Sequence, residues 1–373
     1  MDDYREPAGR WFSLFDWPLL FLALTLALMG VVVIYSATFA SEGEAMRRLY
    51  LKQLEWNLYG LVVLLFMAVL DYRFVERPGY VLYAVCVALL VAVLVHGKLV
   101  SGSKRWLGFH GLNFQPSEPM KFVLIIALTK YFNNLRVASR EMGFKQLAIP
   151  ALLTLVPAAL IAKQPDLGTA VVLVAIFFAM ALVNGVRKKT LLTVVVGLLV
   201  LVPVMWNHMK DYQKNRVLAV MDPSSDPLGT GYHTIQSKIA IGSGGFFGKG
   251  LFRGTQSKLN FLPEKHTDFI FAVYAEEVGF VGVFLLLLLY LALVLRMIDV
   301  VVKAKDPMGA LMAAGVSAMF AFHFLYNISM TIGLTPIVGI PLPLFSYGGS
   351  SLLTNYAAIG ILISIRARRF RHD

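Results

Sequence analysis

Within five positions near the start of the last third of the chain stand Glu264, Lys265, His266 and Asp268, with Thr267 between them. Phe261-Leu262-Pro263 precedes this cluster, and a long apolar run begins at Phe269. Two carboxylates, an ammonium and an imidazole at the mouth of an apolar run suit a polar, anionic substrate held at a membrane surface. Asp268, alongside Thr267, also stands where it could cap the helix that follows. Metal binding is weakly supported here, because no second His or Cys lies at ligand spacing.

Other ionisable residues lie inside apolar runs, where they are expensive and call for a functional or pairing explanation. Glu118 and Lys121 are three apart, so on a helix they share a face and neutralise one another. Gln164-Pro165-Asp166-Leu167-Gly168 interrupts two apolar runs. There Asp166 suits either a helix cap or a carboxylate facing a cavity. Glu276 and Glu277 fall about two turns into another run, and one of them is expected to face the interior. Pro336, Pro341 and Pro343, followed by Phe345-Ser346-Tyr347-Gly348-Gly349-Ser350-Ser351, predict an irregular re-entry, tolerated at membrane depth only against protein or a wet cavity.

One stretch superficially resembles a phosphate loop: Gly242-Ser243-Gly244-Gly245-Phe246-Phe247-Gly248-Lys249-Gly250. The nucleotide-binding loop needs a Gly five residues before its Gly-Lys pair and a Ser or Thr after the Lys. Ser243 and Gly250 occupy those places, so no nucleotide is expected. The glycines could still let backbone amides approach a diphosphate.

The elements that must position these groups follow from composition. Of 373 residues, 58% are hydrophobic and only 15% charged, with a mean hydropathy of +0.69. A soluble domain carries about 25% charge. The chain therefore reads as an all-α polytopic membrane protein, a single transmembrane domain over 1–373. Ten spans are expected, at about 17–36, 53–70, 79–95, 117–133, 147–162, 168–184, 190–207, 269–297, 309–331 and 346–365. Each approaches the roughly 20 residues that cross a hydrocarbon core, and the eighth is long enough to tilt or protrude. The run starting at Trp17 is too long for a cleavable signal after the polar stretch 1–10. The lone Cys86 allows no intrachain disulfide and no thiolate cluster.

An even number of spans puts both termini on one side. Seventeen Lys and Arg flank the spans on that side, against seven in the short loops opposite. Excess base marks the cytoplasmic loops, so both termini are expected in the cytoplasm. The net charge of +12 thus needs no nucleic acid. It follows that 208–268, a large loop between helices 7 and 8, is extracytoplasmic. That loop is glycine-rich, carries eight basic residues, and contains an amphipathic stretch at 233–241 with Ile235 and Ile239 on one side.

Taken together, these motifs resemble the SEDS family (shape, elongation, division, sporulation). The matching pieces are Lys104-Arg105-Trp106-Leu107, Phe114-Gln115-Pro116-Ser117-Glu118, Gln164-Pro165-Asp166-Leu167-Gly168-Thr169 and Asp226-Pro227-Leu228-Gly229. The glycine-rich stretch, the segment 261–271, Pro341-Leu342-Pro343 and Ser346-Tyr347-Gly348-Gly349-Ser350 complete the series in family order. Gly254-Thr255-Gln256-Ser257-Lys258-Leu259-Asn260 ahead of Phe261-Leu262-Pro263-Glu264 is similar to the elongation branch rather than the division branch.

The resemblance implies a peptidoglycan glycosyltransferase of the bacterial inner membrane that joins lipid II units into glycan strands on the outer face during cell elongation. It implies a class B penicillin-binding protein as transpeptidase partner, within the MreC and MreD elongation machinery. By motif match Asp268 is the essential loop aspartate, Glu118 and Lys121 the intramembrane charge pair, and Asp166 a further sensitive acid. The chemistry agrees. A polyprenyl diphosphate leaves without a general acid, so one carboxylate suffices to take the proton of the attacking 4-hydroxyl. Glycosidases need two because their leaving alkoxide is poor. Diphosphate charge would be met by Lys104, Arg105, Lys249 or Lys265, or by a divalent cation such as Mg2+ or Mn2+. His266 and Ser346 complete the expected cavity, and lipid tails would lie in an apolar groove beside the bundle. The alternatives are a lipid-linked precursor flippase that makes no bond, and a scaffold in which the acids are dispensable.

Overall fold

The computed structural model describes residues 14–39, 43–100, 103–109, 112–138, 143–187, 189–190, 192–193, 196–197, 200, 203, 206–207, 209, 211–226, 229–259, 261–262 and 264–369. The seventh expected span, 190–207, falls largely outside these residues. The other nine are helices, six of them long and apolar enough by length and composition alone to cross a membrane.

The chain runs α1 (Trp17–Thr38), a short α2 (Glu44–Arg47), α3 (Leu49–Val69), a short α4 (Tyr72–Glu76) and α5 (Gly79–His96). Three strands follow, β1 (Lys98–Val100), β2 (Ser103–Phe109) and β3 (Leu112–Phe114), then α6 (Ser117–Ala138), α7 (Phe144–Lys163) and α8 (Leu167–Val183). The large loop holds α9 (Asp211–Met221), a 3-10 turn (Pro223–Ser225), α10 (Thr230–Ser243) and α11 (Thr255–Lys258). Then come α12 (Ile270–Lys303), α13 (Pro307–Thr331) and α14 (Gly349–Ala367).

Among the described residues, α6 is the helix at the centre. From Met120 to Thr129 it is buried on every side, the pattern of a helix enclosed by others. α13 and α14 are similarly enclosed, whereas α5 and α12 lie at the periphery. Small residues let backbones approach where lipid supplies no hydrophobic drive. A Cβ at Gly60 of α3 would stand 2.1 Å from the Tyr356 ring of α14, and one at Gly360 would stand 2.5 Å from the Leu64 carbonyl. The Tyr356 hydroxyl donates to Asn57 Oδ1 (2.8 Å) across the same seam.

At one end of the bundle, groups expected on the side of the termini converge. Buried Asp16 pairs with Arg296 (3.0 Å) and Arg366 (3.1 Å), and Asp299 with Arg366 (2.6 Å) and Lys303 (2.6 Å). Asp16 also caps α1 and Asp306 caps α13, each accepting a backbone amide.

Three features depart from the sequence reading. The segment between α5 and α6 forms an antiparallel three-stranded sheet in the order β1-β2-β3, with Lys98 opposite Trp106 and Leu107 opposite Phe114. In α10 the face that packs on α12 and α13 is the small polar one, Thr234, Ser237 and Ala240. Ile235 and Ile239 point outward, because only small side chains allow Ser237 Oγ to reach the Thr331 carbonyl at 2.7 Å. Finally, α12 is not one continuous helix. It breaks at Gly279 (φ 69°, ψ −167°), leaving a nine-residue outer half from Ile270 to Val278.

Candidate active site

The turn 264–269 is built under backbone strain and then pinned. Glu264 adopts φ 45°, a region a non-glycine residue enters at a cost. Its carbonyl accepts the Thr267 and Phe269 amides (3.1 and 3.3 Å). The irregular strap before α14 then holds the turn: Ser346 Oγ donates to the Thr267 carbonyl (2.7 Å), and the Tyr347 amide to the His266 carbonyl (2.9 Å). From α13, Asn327 Nδ2 donates to the carbonyls of Asp268 (3.0 Å) and Ile340 (2.7 Å). Every one of these bonds fixes backbone. The Asp268 carboxylate itself accepts no hydrogen bond among the described residues, and it does not cap α12. The cap position is Phe269, without a side-chain bond. Gly339, at φ 76°, lies against the carboxylate, and a Cβ there would meet Asp268 Oδ2 at 3.3 Å.

Asp268 opens onto a cavity of about 1300 Å³ with a mixed polar and apolar wall. Arg105 reaches its wall from β2, anchored on the carbonyls of Gln164 (3.1 Å) and Pro165. Arg216 comes from α9, His233 from α10 and Glu264 from the turn itself. Asp166 does both things its sequence position allowed: it caps α8 through the Thr169 amide (3.1 Å) and lines the cavity beside Gln115 Nε2 (3.5 Å). Burial pushes the Asp268 carboxyl up to about 7, and neighbouring Glu264 and Asp166 push the same way. Arg105 and Arg216 oppose them. Such a carboxyl is poised to accept a proton near neutral pH. Burial lowers His266, His233 and Lys265, favouring their neutral forms.

Beneath the cavity floor, Glu118 pairs with Lys121 at 2.8 Å, both nearly inaccessible. Glu118 lines the cavity and Lys121 stands behind it. Sequence reading missed the third member. His323 of α13 places Nε2 3.0 Å from Lys121 Nζ, while Nδ1 lies 2.7 Å from the Met319 carbonyl. A ring that donates from Nδ1 presents its Nε2 lone pair to the ammonium. Lys121 therefore has two acceptors, which is how a buried charge is tolerated.

Not every expected contact is brought together. Arg105, Asp166, Glu118, His266 and Asp268 line the cavity; Lys104, Lys121, Lys249, Lys265 and Ser346 do not. Lys104 is exposed on β2, and Ser346 acts only as a brace. Lys249 turns instead to Glu276 (2.7 Å), within a compact loop against α12. Glu276 and Glu277 both face partners of their own, the latter taking the Ser36 hydroxyl at 2.5 Å. The glycine-rich stretch offers no cradle in this arrangement. The Lys249 and Gly250 amides already donate to the carbonyls of Glu276 and Glu277. Two cations not expected there line the cavity instead: Arg216, which the sequence showed only as one of eight in the loop, and Lys52 of α3. Among the described residues no three of His, Cys, Asp and Glu assemble as a ligand set.

The FtsW/RodA/SpoVE family, described as cell cycle proteins, matches residues 16–370. The peptidoglycan glycosyltransferase MrdB of Escherichia coli K12 is 40% identical over 358 residues, covering 95% of this chain and 94% of its own length. The peptidoglycan glycosyltransferase RodA of Treponema pallidum is 36% identical, covering 96% and 99%. Among solved structures, a chain from a peptidoglycan synthase complex that coordinates polymerisation and crosslinking superposes with a TM-score of 0.81 at 32% identity, covering 96% of this chain and 99% of its own. The rod shape determining protein RodA of Thermus thermophilus gives 0.71 at 30%, covering 96% and 98%. The chain belongs to the FtsW/RodA/SpoVE family.

Proposed function

We propose that this chain polymerises lipid II into glycan strands at the outer face of the bacterial inner membrane, with Asp268 as the general base. Its enzyme class is peptidoglycan glycosyltransferase, and it is a multi-pass membrane protein of cell-wall synthesis. The observation that carries the assignment of Asp268 is a carboxylate without a hydrogen bond among the described residues, on the wall of a large polar cavity, with its proton affinity raised to about 7.

In this reading the acceptor's 4-hydroxyl attacks the donor's anomeric carbon while Asp268 takes its proton. The bond to the polyprenyl diphosphate breaks, and the leaving group departs with the electron pair. Attack opposite the leaving group inverts the α-linked centre to β. Arg105 and Arg216 lie on the same cavity wall, where fixed guanidinium groups meet developing diphosphate charge. Their placement supports them over Lys104, Lys249 and Lys265 for this role. Trp56 and Tyr59 of α3 carry the cavity wall towards the lipid-facing side of the bundle. The polyprenyl chains would lie along that side.

The termini would face the cytoplasm and the 208–268 loop the outside, in keeping with the charge asymmetry and with the ion-pair network at the opposite end from the cavity. A class B penicillin-binding protein and the MreC/MreD machinery are the partners this function calls for. A precursor flippase is not favoured, since the named relatives are glycosyltransferases. Incubating the purified protein with lipid II and resolving glycan products tests the assignment. Strands from the native chain but none from Asp268→Asn support it, and equal product from both refutes it.

A further inference from the structure

The break in α12 is a joint with defined parts. A helix interrupted at Gly279 deprives carbonyls before the break and amides after it of their intrahelical partners. The glycine-rich loop supplies partners to two of each. The Lys249 and Gly250 amides donate to the carbonyls of Glu276 (3.0 Å) and Glu277 (2.9 Å). In return, the Phe280 and Val281 amides donate to the carbonyls of Gly245 (2.9 Å) and Phe246 (3.1 Å). The fit requires bare backbone. A Cβ on Gly248 would stand 2.1 Å from the Glu277 carbonyl oxygen, and one on Gly279 would stand 2.2 Å from the Gly248 nitrogen.

A side chain then locks the joint. Glu276 is fully buried, and its carboxylate takes Lys249 Nζ (2.7 Å), the Thr255 amide and hydroxyl (both 2.8 Å) and the Gln256 amide (3.2 Å). Lys249 Nζ also reaches Thr255 Oγ1 at 2.8 Å. The outer half-helix thus has its C-terminal end clamped here and Asp268 just ahead of its N-terminal end. Eight residues at 1.5 Å per residue separate the two by about 12 Å along a rigid segment. Nothing in the reaction itself uses this buried carboxylate, which lines no part of the cavity.

We propose that Glu276, with Lys249 and Thr255, positions Asp268 by fixing the outer half of α12 to the glycine-rich loop. The proposal rests on Asp268 being the base. Releasing the clamp lets the half-helix pivot at Gly279 and carries the carboxylate away from the reacting hydroxyl, without touching substrate contacts on β2, α3 or α9.

The test uses the full-length protein in detergent or liposomes with lipid II, comparing Glu276→Gln, Lys249→Met, their double variant, Thr255→Val and Asp268→Asn. Glu276→Gln and Lys249→Met should each lower kcat about tenfold or more while KM moves less than threefold. The double variant should be no worse than the worse single, because both break one clamp. Thr255→Val, which keeps the backbone donors, should lose about threefold and serves if Glu276→Gln fails to fold. The pH at which activity is half-maximal should shift down in the clamp variants, as a displaced Asp268 becomes more solvated. Folded clamp variants with native kcat and an unmoved pH profile overturn the positioning role even if Asp268→Asn is inactive. Native activity in Asp268→Asn overturns the base assignment instead.

Discussion

Replacing Asp268 by Asn removes proton-accepting capacity while preserving size and polarity, and the structure sets both consequences. Base catalysis contributes about 10²–10⁴-fold, so polymerisation should fall by that factor. Stability should move the other way. The carboxyl is raised from 3.8 to about 7, so folding disfavours its charged form. At about 1.36 kcal/mol per unit, the difference bounds the penalty at about 4 kcal/mol. Partial exposure to the cavity makes the penalty smaller than this bound. Because the folded state holds its proton more tightly than the unfolded chain, the native protein loses stability as pH rises from about 4 to 7. Above pH 7 the whole penalty is present. Asn carries none, so at pH 8 the variant should melt at or above the native temperature, and at pH 4 the two should coincide. Were Asp268 a helix cap, Asn would retain activity and Ala would lose about 1 kcal/mol. Since the cap position is Phe269, Ala and Asn should instead be equally inactive and equally folded. Glycan yield, melting temperature and lipid II binding are measured together. A folded, lipid-binding Asp268→Asn enzyme polymerising within a few-fold of native would refute the reasoning.

The pH–rate profile should rise with an inflection near 7. Glu264→Gln should move it down, because Glu264 raises the carboxyl, and Arg105→Gln should move it up, because Arg105 lowers it; unmoved profiles count against these neighbours. Lys121→Met leaves Glu118 buried without its ammonium, so thermal stability should fall by several kcal/mol. His323→Leu, which removes only the second acceptor, should cost less, and equal losses would contradict the pair-plus-acceptor arrangement. A cysteine at Ser257 should be labelled from outside intact cells and one at Arg369 only after permeabilisation, with the reverse pattern overturning the orientation.

What was legible in the sequence and what was not divide along one physical line. Apolar runs long enough to span, the Asp166 cap and the Glu118–Lys121 pair all depend on neighbours within four residues, so spacing alone exposed them. His323 joins that pair from 202 residues away, and no local pattern marks it. The break in α12 was not legible as such: Glu276 and Glu277 read as acids inside one continuous run, and the hydrogen bonds that replace the helical ones at Gly279 come from the loop before it. Lys249 looked like a free cation beside flexible glycines for the same reason. Its partner Glu276 lies 27 residues on. β2 shows no clean alternation, since Ser103, Lys104 and Arg105 are followed by Trp106 and Leu107. The all-helical expectation passed over it.

The site also explains why so much of its surroundings is rigid. A general base must keep its lone pairs for the reacting proton, so the hydrogen bonds that would ordinarily hold a buried carboxylate cannot be spent on it. Position has to come from backbone. Ser346, Tyr347 and Asn327 each bond a main-chain atom of 266–268, and the turn tolerates φ 45° at Glu264 because these bonds over-determine it. The remaining freedom is rotation of the half-helix that follows, and its far end is closed by the loop through Glu276. Strain at Glu264, a bare glycine at 339 and a broken helix at 279 are then parts of one arrangement. Together they keep one carboxylate in place without a hydrogen bond to it from any described residue.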